Sequence, residues 1–230
     1  LGNVYRDKDR LSEAILCYRK AIEFKSGFAE AFNNLGAALK NQGHVEEARI
    51  CYEKALQLNP DYAAAYNNLG NILRELNQYN DALICYQKAL HIDPDIAEAY
   101  YSIGIIAYRS DRIDESITYT RRALEIDPMH IDSYSNLGVA LQDILKSEEA
   151  ISSYRKAISI DPNFAEAHWN LSLSLLLQGE WMEGFREYEW RRYVEGIIIP
   201  RNIPEPVWDG TDLGGRTIMI LTEQGYGDAI

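Results

Sequence analysis

The chain has 230 residues, a formal net charge of −12 and 47 % hydrophobic residues. An acidic chain repels phosphate, which argues against nucleic acid and anionic membrane as partners. No apolar run reaches the ~18 residues of a membrane span, and the apolar content is ample for a packed interior.

In chain order, the first signal is a ladder of glycines: Gly2, Gly36, Gly70, Gly104 and Gly138, each 34 residues after the last. Aligned on Gly36, residues 29–62, 63–96, 97–130 and 131–164 are four copies of one unit. Residues 1–28 are the tail of an earlier copy, so the chain reads as a fragment that opens inside a repeat. A fixed period of this length predicts stacked supersecondary units rather than one globular core.

Within 29–62, apolar residues recur at Ala31, Phe32, Leu35, Ala38 and Leu39, then at Val45, Ala48, Tyr52, Ala55 and Leu56. This spacing predicts two amphipathic helices. Gly43 and its neighbours form the turn between them. Pro60 ends the second helix, since proline disfavours helical geometry in the residue before it, and Asn59, Asp93, Asp127 and Asp161 suit that turn. Gly36 and Ala48 leave room for the paired helices to touch, and Tyr52, Tyr18, Tyr86 and Tyr154 fill the remaining space. A helix-interior glycine costs about 1 kcal/mol against alanine, so its return in five copies implies that close packing offsets the cost. Cys17, Cys51 and Cys85 share one repeat position. Stacked helices lie about 8–10 Å apart and a disulfide needs Cα atoms within about 7 Å, so reduced, partly buried thiols and a reducing cytoplasm are expected. No Cys-x-x-Cys pair or histidine partner supports a metal site.

The aromatic at Phe32, Tyr66, Tyr100 and Tyr134, the Leu-Gly or Ile-Gly pair, and the later Ala, Tyr, Ala and Pro together resemble the tetratricopeptide repeat (TPR) over residues 1–164. The resemblance implies an all-α fold, a right-handed superhelical solenoid. Ser26 departs from the pattern at the first proline. Ser116 and Thr120 replace Ala and Tyr in the fourth copy, which is therefore expected to pack most loosely.

In TPR arrays the first helix of each pair lines the concave face. One position there reads Asn34, Asn68, Ser102, Asn136, Asn170. An asparagine amide offers two donors and an acceptor, so such a ladder can grip the backbone of an extended peptide; alternatively it cross-links neighbouring repeats. Its recurrence on the groove side favours peptide contact, and the ladder resembles the TPR superhelix of O-linked N-acetylglucosamine transferases. Tyr101 and Trp169, one residue earlier, enlarge the groove locally. Glu30, Glu98, Asp132 and Glu166 should disfavour acidic peptides, or serve as a solvated face near the helix N-termini. The Lys and Arg of the chaperone-tail class, which clamp a terminal carboxylate, are replaced by Asn and Glu, so that partner class is not expected.

After Phe164 the pattern wears out. All four tryptophans lie beyond it, and residues 165–195 read as a degenerate capping repeat that docks onto something else. Residues 196–216, with Pro200, Pro204 and Pro206, form a linker. Thr217–Leu221 reads as a short strand that packs on the cap, pairs with another chain or stays poorly ordered; the cap and this strand are routes to self-association. Pro206, Trp208, Gly210, Asp212, Leu213, Gly215, Arg216 and the run Glu223, Gln224, Gly225, Gly227, Asp228 resemble the junction of bacterial TPR proteins that carry a heptosyltransferase-like glycosyltransferase domain. Residues 217–230 would then begin a truncated Rossmann-like domain. Gly225 and Gly227 would form a loop near phosphate or acceptor, and Asp228 would be the general base toward an acceptor hydroxyl. Gly225 stands where that group has a serine, and Asp228 reads equally as a helix cap. No cofactor is expected within these residues, and sugar transfer by the chain alone should be undetectable. Two readings emerge: a recruiting arm of a glycosyltransferase, or a stand-alone adaptor for multiprotein assembly.

Overall fold

The computed structural model describes residues 2–6, 8 and 10–194. The expected strand Thr217–Leu221, the loop Gly225–Gly227 and Asp228 lie outside them. Among the described residues the chain forms twelve α-helices and one short 3-10 helix. After α1 (Gly2–Arg6) and α2 (Leu11–Phe24) come four full pairs: α3 (Ala29–Asn41) with α4 (Val45–Leu58), α5 (Ala63–Glu75) with α6 (Tyr79–Ile92), α7 (Ala97–Arg109) with α8 (Ile113–Ile126), and α9 (Ile131–Asp143) with α10 (Ser147–Ile160). The cap is α11 (Ala165–Leu177), α12 (Trp181–Tyr188) and the 3-10 turn Glu189–Tyr193.

The glycine ladder marks where paired helices meet. A Cβ on Gly36 would lie 2.8 Å from Tyr52 Cε1 and 3.1 Å from the Ala48 carbonyl oxygen, and one on Gly70 would lie 2.6 Å from Tyr86 Cε1. Each tyrosine ring therefore rests on bare helix backbone, and Tyr52, Tyr86 and Tyr154 are fully buried. Burying one such ring contributes roughly 1.5–3 kcal/mol, more than the glycine costs its helix. Ala48, Ala55, Ala82, Ala89, Ala150 and Ala157 are buried around them.

The fourth copy differs where the sequence does. Ser116 and Thr120 are as buried as the Ala and Tyr they replace, but the buried apolar core parts here into two clusters. Ala99, Ile103 and Ile106 of α7 belong to the first, and Ile117 of α8 opens the second. Thr120 still touches its partner helix, its Oγ1 2.7 Å from a Cβ added on Gly104, but it brings no ring to the seam and no hydroxyl to the groove-side acceptors.

The turn inside each repeat relies on one left-handed residue: Gly43, Asn77, Asp111, Leu145 and Gly179 all have φ between 59° and 84°. The following N–H then reaches back to the first helix, as in His44 N–H to the Leu39 carbonyl at 2.9 Å and Lys146 N–H to Leu141 at 2.9 Å, which satisfies a helix-end carbonyl. Leu145 is the strained member. Between repeats, the side chains of Asn59, Asp93, Asp127 and Asp161 each accept the N–H two residues on, at 2.9–3.2 Å. These side-chain turns bracket Pro60, Pro94, Pro128 and Pro162.

The cap follows the same logic until it fails. Gly184 stands where Ala150 does and is buried under Leu176, whose Cδ2 would lie 2.8 Å from an added Cβ. Arg191, by contrast, stands where Ala157 is fully buried. A guanidinium cannot take that place, and α12 gives way to a 3-10 turn after 8 residues where the earlier second helices run 14. The Leu-rich first helix buries Leu171 and Leu175 and leaves Leu177 exposed.

Two stability measurements check this account. Gly36→Ala should lower the urea unfolding midpoint, with a cost of about 1–3 kcal/mol from overpacking against Tyr52. Gly104→Ala should cost clearly less, because the nearest atom, the Thr120 hydroxyl, can rotate away; equal losses would refute the tyrosine-on-glycine account. Leu145→Gly should raise the midpoint, by about 1 kcal/mol, through relief of left-handed strain.

Candidate peptide-binding groove

The concave side is set by which helices touch. α5 meets α7, α7 meets α9, and α9 meets α11, whereas each second helix packs on the next repeat's first helix and meets the next second helix through ion pairs of long side chains such as Arg155–Glu183. The side on which successive helices crowd has the smaller radius, so the first helices line the groove, as the sequence predicts.

The ladder residues occupy this face but also stitch the repeats together. Asn34 donates its amide to Asn3 Oδ1 at 3.4 Å, Asn68 to Asn33 Oδ1 at 3.0 Å, and the Ser102 hydroxyl to Asn71 Oδ1 at 3.3 Å. The Asn136 side chain faces the Tyr101 hydroxyl. Each reaches back to the preceding repeat, to whichever of two positions carries a partner. Those positions are one residue before the ladder (Asn33, Tyr101) and three residues after it (Asn3, Asn71). Asn3 and Asn71 also accept the hydroxyls of Tyr18 and Tyr86, each at 2.7 Å, so the stitch is tied to the core tyrosines. In the next junction Gln142 Oε1 plays this part, accepting from Tyr154 at 3.2 Å and Ser174 at 3.0 Å.

Asn34, Asn68, Asn136 and Asn170 are half-buried and keep part of their amides on the groove side. Ser102 is a correction: it is 0 % exposed. Its single hydroxyl is committed to Asn71, so it belongs to the stitch and not to the groove surface. Tyr101 and Trp169 are half-buried. Trp169 lies 5.0 Å from the Tyr188 ring and Tyr101 lies 4.9 Å from His130.

One junction is left incomplete. Asn33 Oδ1 accepts the Asn68 amide, and the Tyr62 hydroxyl faces the same side chain. The equivalent of Tyr62 in the next repeat is Ile96, and that of Asn68 is Ser102. Asn67, 8 % exposed, loses both partners, and its Oδ1 is buried without a hydrogen bond. An unmet acceptor of this kind costs about 1–3 kcal/mol.

Two histidines hold structural positions that sequence reading left without a role. His130 Nδ1 accepts the Ser133 N–H at 3.2 Å, capping α9, while its Nε2–H donates to Glu98 at 3.2 Å. The Glu98 bond holds the His130 pKa above its usual value, yet protonation would take away the lone pair that caps the helix. His168 lies inside the cap. Its Nε2–H donates to the Pro162 carbonyl at 3.0 Å, its Nδ1 faces Glu187, and its ring stacks on Trp190 at 4.0 Å. The close pairing of His168 with Glu187 and Trp190 explains why the degenerate second helix still docks.

Cys17, Cys51 and Cys85 are free thiols, and burial pushes Cys51 and Cys85 up to about 11, far from reactive thiolate. Among the described residues, no cluster of His, Cys, Asp and Glu could hold a metal, and no helix is long and apolar enough to cross a membrane. The groove thus offers amides, aromatic rings and carboxylates: the equipment of a binding surface.

Profiles of the TPR repeat match residues 2–43 and 146–179, and two profiles of the tetratricopeptide repeat match residues 27–95 and 68–129. No curated protein matches the sequence. Among solved structures, the chain is similar to one described as "YrrB: a TPR protein with an unusual peptide-binding site". That match has TM-score 0.59 and 23 % identity, over 75 % of this chain and 89 % of that one. It is similar to MamA with TM-score 0.59 and 26 % identity, over 68 % of this chain and 91 % of that one. The anaphase-promoting complex hetero-tetramer Cut9–Hcn1 gives TM-score 0.75 and 18 % identity, over 82 % of this chain and 38 % of that one. The matched profiles, the shared fold and the recurring helix pairs agree: this is a chain of tetratricopeptide repeats.

Proposed function

We propose that the chain is a recruiting scaffold that holds an extended peptide or protein segment in its concave groove, with Asn34, Asn68, Asn136 and Asn170 contacting the peptide backbone. The observation that carries this reading is the half-buried ladder on the first helices. The stitch fixes the direction of the Asn34 and Asn68 amides while using only part of their hydrogen-bonding capacity. Tyr101 and Trp169 add apolar contact, and Glu30, Glu98, Asp132 and Glu166 bias the groove toward neutral or basic segments. The likeness to YrrB, described as having a peptide-binding site, is one of fold and is consistent with this use of the groove.

The finer reading is that this scaffold is the cytoplasmic arm of a nucleotide-sugar-dependent glycosyltransferase. Its support is the resemblance carried by residues 203–228, with Asp228 as general base and Gly225 and Gly227 in the adjoining loop. Free thiols at three repeat positions fit a reducing compartment.

The groove reading is tested by separating the stitch from the contact. Asn68→Ala removes both, whereas Asn33→Ala, at a buried position, breaks the same stitch and leaves the Asn68 amide in the groove. For an unstructured peptide selected on the chain from a random display library, fluorescence polarisation should show about five-fold weaker binding with Asn68→Ala, one hydrogen bond's worth. Asn33→Ala should fall between the two, because it keeps the Asn68 contact but leaves that amide to be ordered on binding. Equal affinities for all three would make the ladder purely structural. A measurable sugar transfer by these residues, lost in Asp228→Asn, would overturn the view that this part only recruits.

A further inference from the structure

The α12 end of the array copies an inter-repeat face that nothing covers among the described residues. Phe185 stands 34 residues after Ile151, itself 34 after Ile117. Those isoleucines are 6 % and 7 % exposed, whereas Phe185 is 59 % exposed. Trp181 occupies the place of Val45, Tyr79 and Ile113, which pack half-buried against the core, and it too is exposed. The two rings lie 6.4 Å apart, Met182 beside them on α12 is exposed, and so is Leu177 at the end of α11.

This is not a helix that has lost register. Arg19 pairs with Glu47, Arg121 with Glu149 and Arg155 with Glu183, always from one second helix to the next. α12 therefore sits where a second helix of the array should. In every earlier repeat the corresponding face is covered by the first helix of the repeat that follows, as α11 covers α10. Here the two positions carry large aromatic groups, Trp181 and Phe185, each 59 % exposed. A single exposed apolar residue is ordinary, but a contiguous group of this kind marks an interaction surface.

We propose that the Trp181–Phe185 face is covered by the chain's own residues 195–230. This inference does not depend on peptide binding in the groove. Three observations favour this occupant over a second copy. The segment starts directly after Val194, at this end of the array, and is 36 residues long. It carries apolar groups that match the face, among them Ile197, Ile198, Ile199, Trp208, Ile218 and Leu221. It carries six acidic and two basic residues, a net of −4, which can meet exposed Arg186 beside Phe185, Arg192 being paired with Glu189. A tethered segment also acts at an effective concentration of about millimolar, well above that of a second copy in micromolar solution.

The test places the photocrosslinking residue p-benzoylphenylalanine at Phe185, and separately at Trp181, in the full chain, with the same group at exposed Leu145 as reference. Irradiation at micromolar concentration should give crosslinks at monomer mass. Mass spectrometry should map them within residues 195–230 from both cap positions, in at least about ten-fold greater yield than from Leu145. Crosslinks at twice the monomer mass would assign the face to a second copy and overturn the proposal. Intramolecular yields no greater than at Leu145 would show the face open, and would overturn it as well.

Discussion

The contact on which this array depends is a tyrosine ring laid on the bare backbone of a glycine. In four copies the added Cβ would fall on the ring itself, so the helix spacing and the ring are set together and neither can change alone. That spacing brings the two helices of a repeat close enough for buried alanines to complete the seam, and it aims the tyrosine hydroxyl toward the groove side. There Asn3, Asn71 and Gln142 receive it. The apolar core and the polar face of the groove are thus one mechanical system. A hydrophobic anchor fixes the hydroxyl, the hydroxyl fixes an amide, and the amide fixes the next repeat. Where threonine replaces tyrosine at Thr120, the buried core divides, and the array keeps its register through the polar stitches and the turns.

Much of the fold was legible because the period is strict. Helix boundaries, the turn at Gly43, the proline turns and the worn last repeat all follow from repeated chemistry at a fixed spacing, and a mistake in one copy is corrected by the next. The inter-repeat stitch was not legible in the same way. Its acceptors alternate between two positions, so Asn3, Ala37, Asn71 and Ile105 do not form an unbroken column as the glycines do. Only the three-dimensional junction shows that Asn68 turns to Asn33 because Ala37 offers it nothing. The same substitution of partners leaves Asn67 without a hydrogen bond. His168 was opaque for a different reason. Its role depends on Glu187 and Trp190, which belong to the degenerate copy where periodicity no longer guides the reading.

On the proposed reading, the ladder's structural role and its binding role are not rivals. A free surface asparagine must lose side-chain freedom to bind, a cost of order 1 kcal/mol. An asparagine already held by its neighbour has lost that freedom on folding. The stitch therefore prepares the amide for a backbone contact instead of competing with it. Ser102 marks the limit of the argument: a side chain with one hydroxyl can make the stitch and keeps nothing in reserve.

The groove is not uniform along its length. Three residues beyond the ladder, the floor reads Asn3, Ala37 and Asn71 in the first half, then Ile105, Val139 and Leu173. One residue before the ladder it reads Asn33 and Asn67, then Tyr101, Ser135 and Trp169. The change falls at the repeat whose helices lack the bridging tyrosine, where the buried core also divides. One half carries amides, of which Asn33 and Asn67 are buried; the other carries mainly aliphatic and aromatic residues. Because each repeat contacts mainly its neighbours, these halves can be tuned independently by substitution at single positions. A segment lying along the whole groove would be held by its backbone at one end and chosen by its side chains at the other.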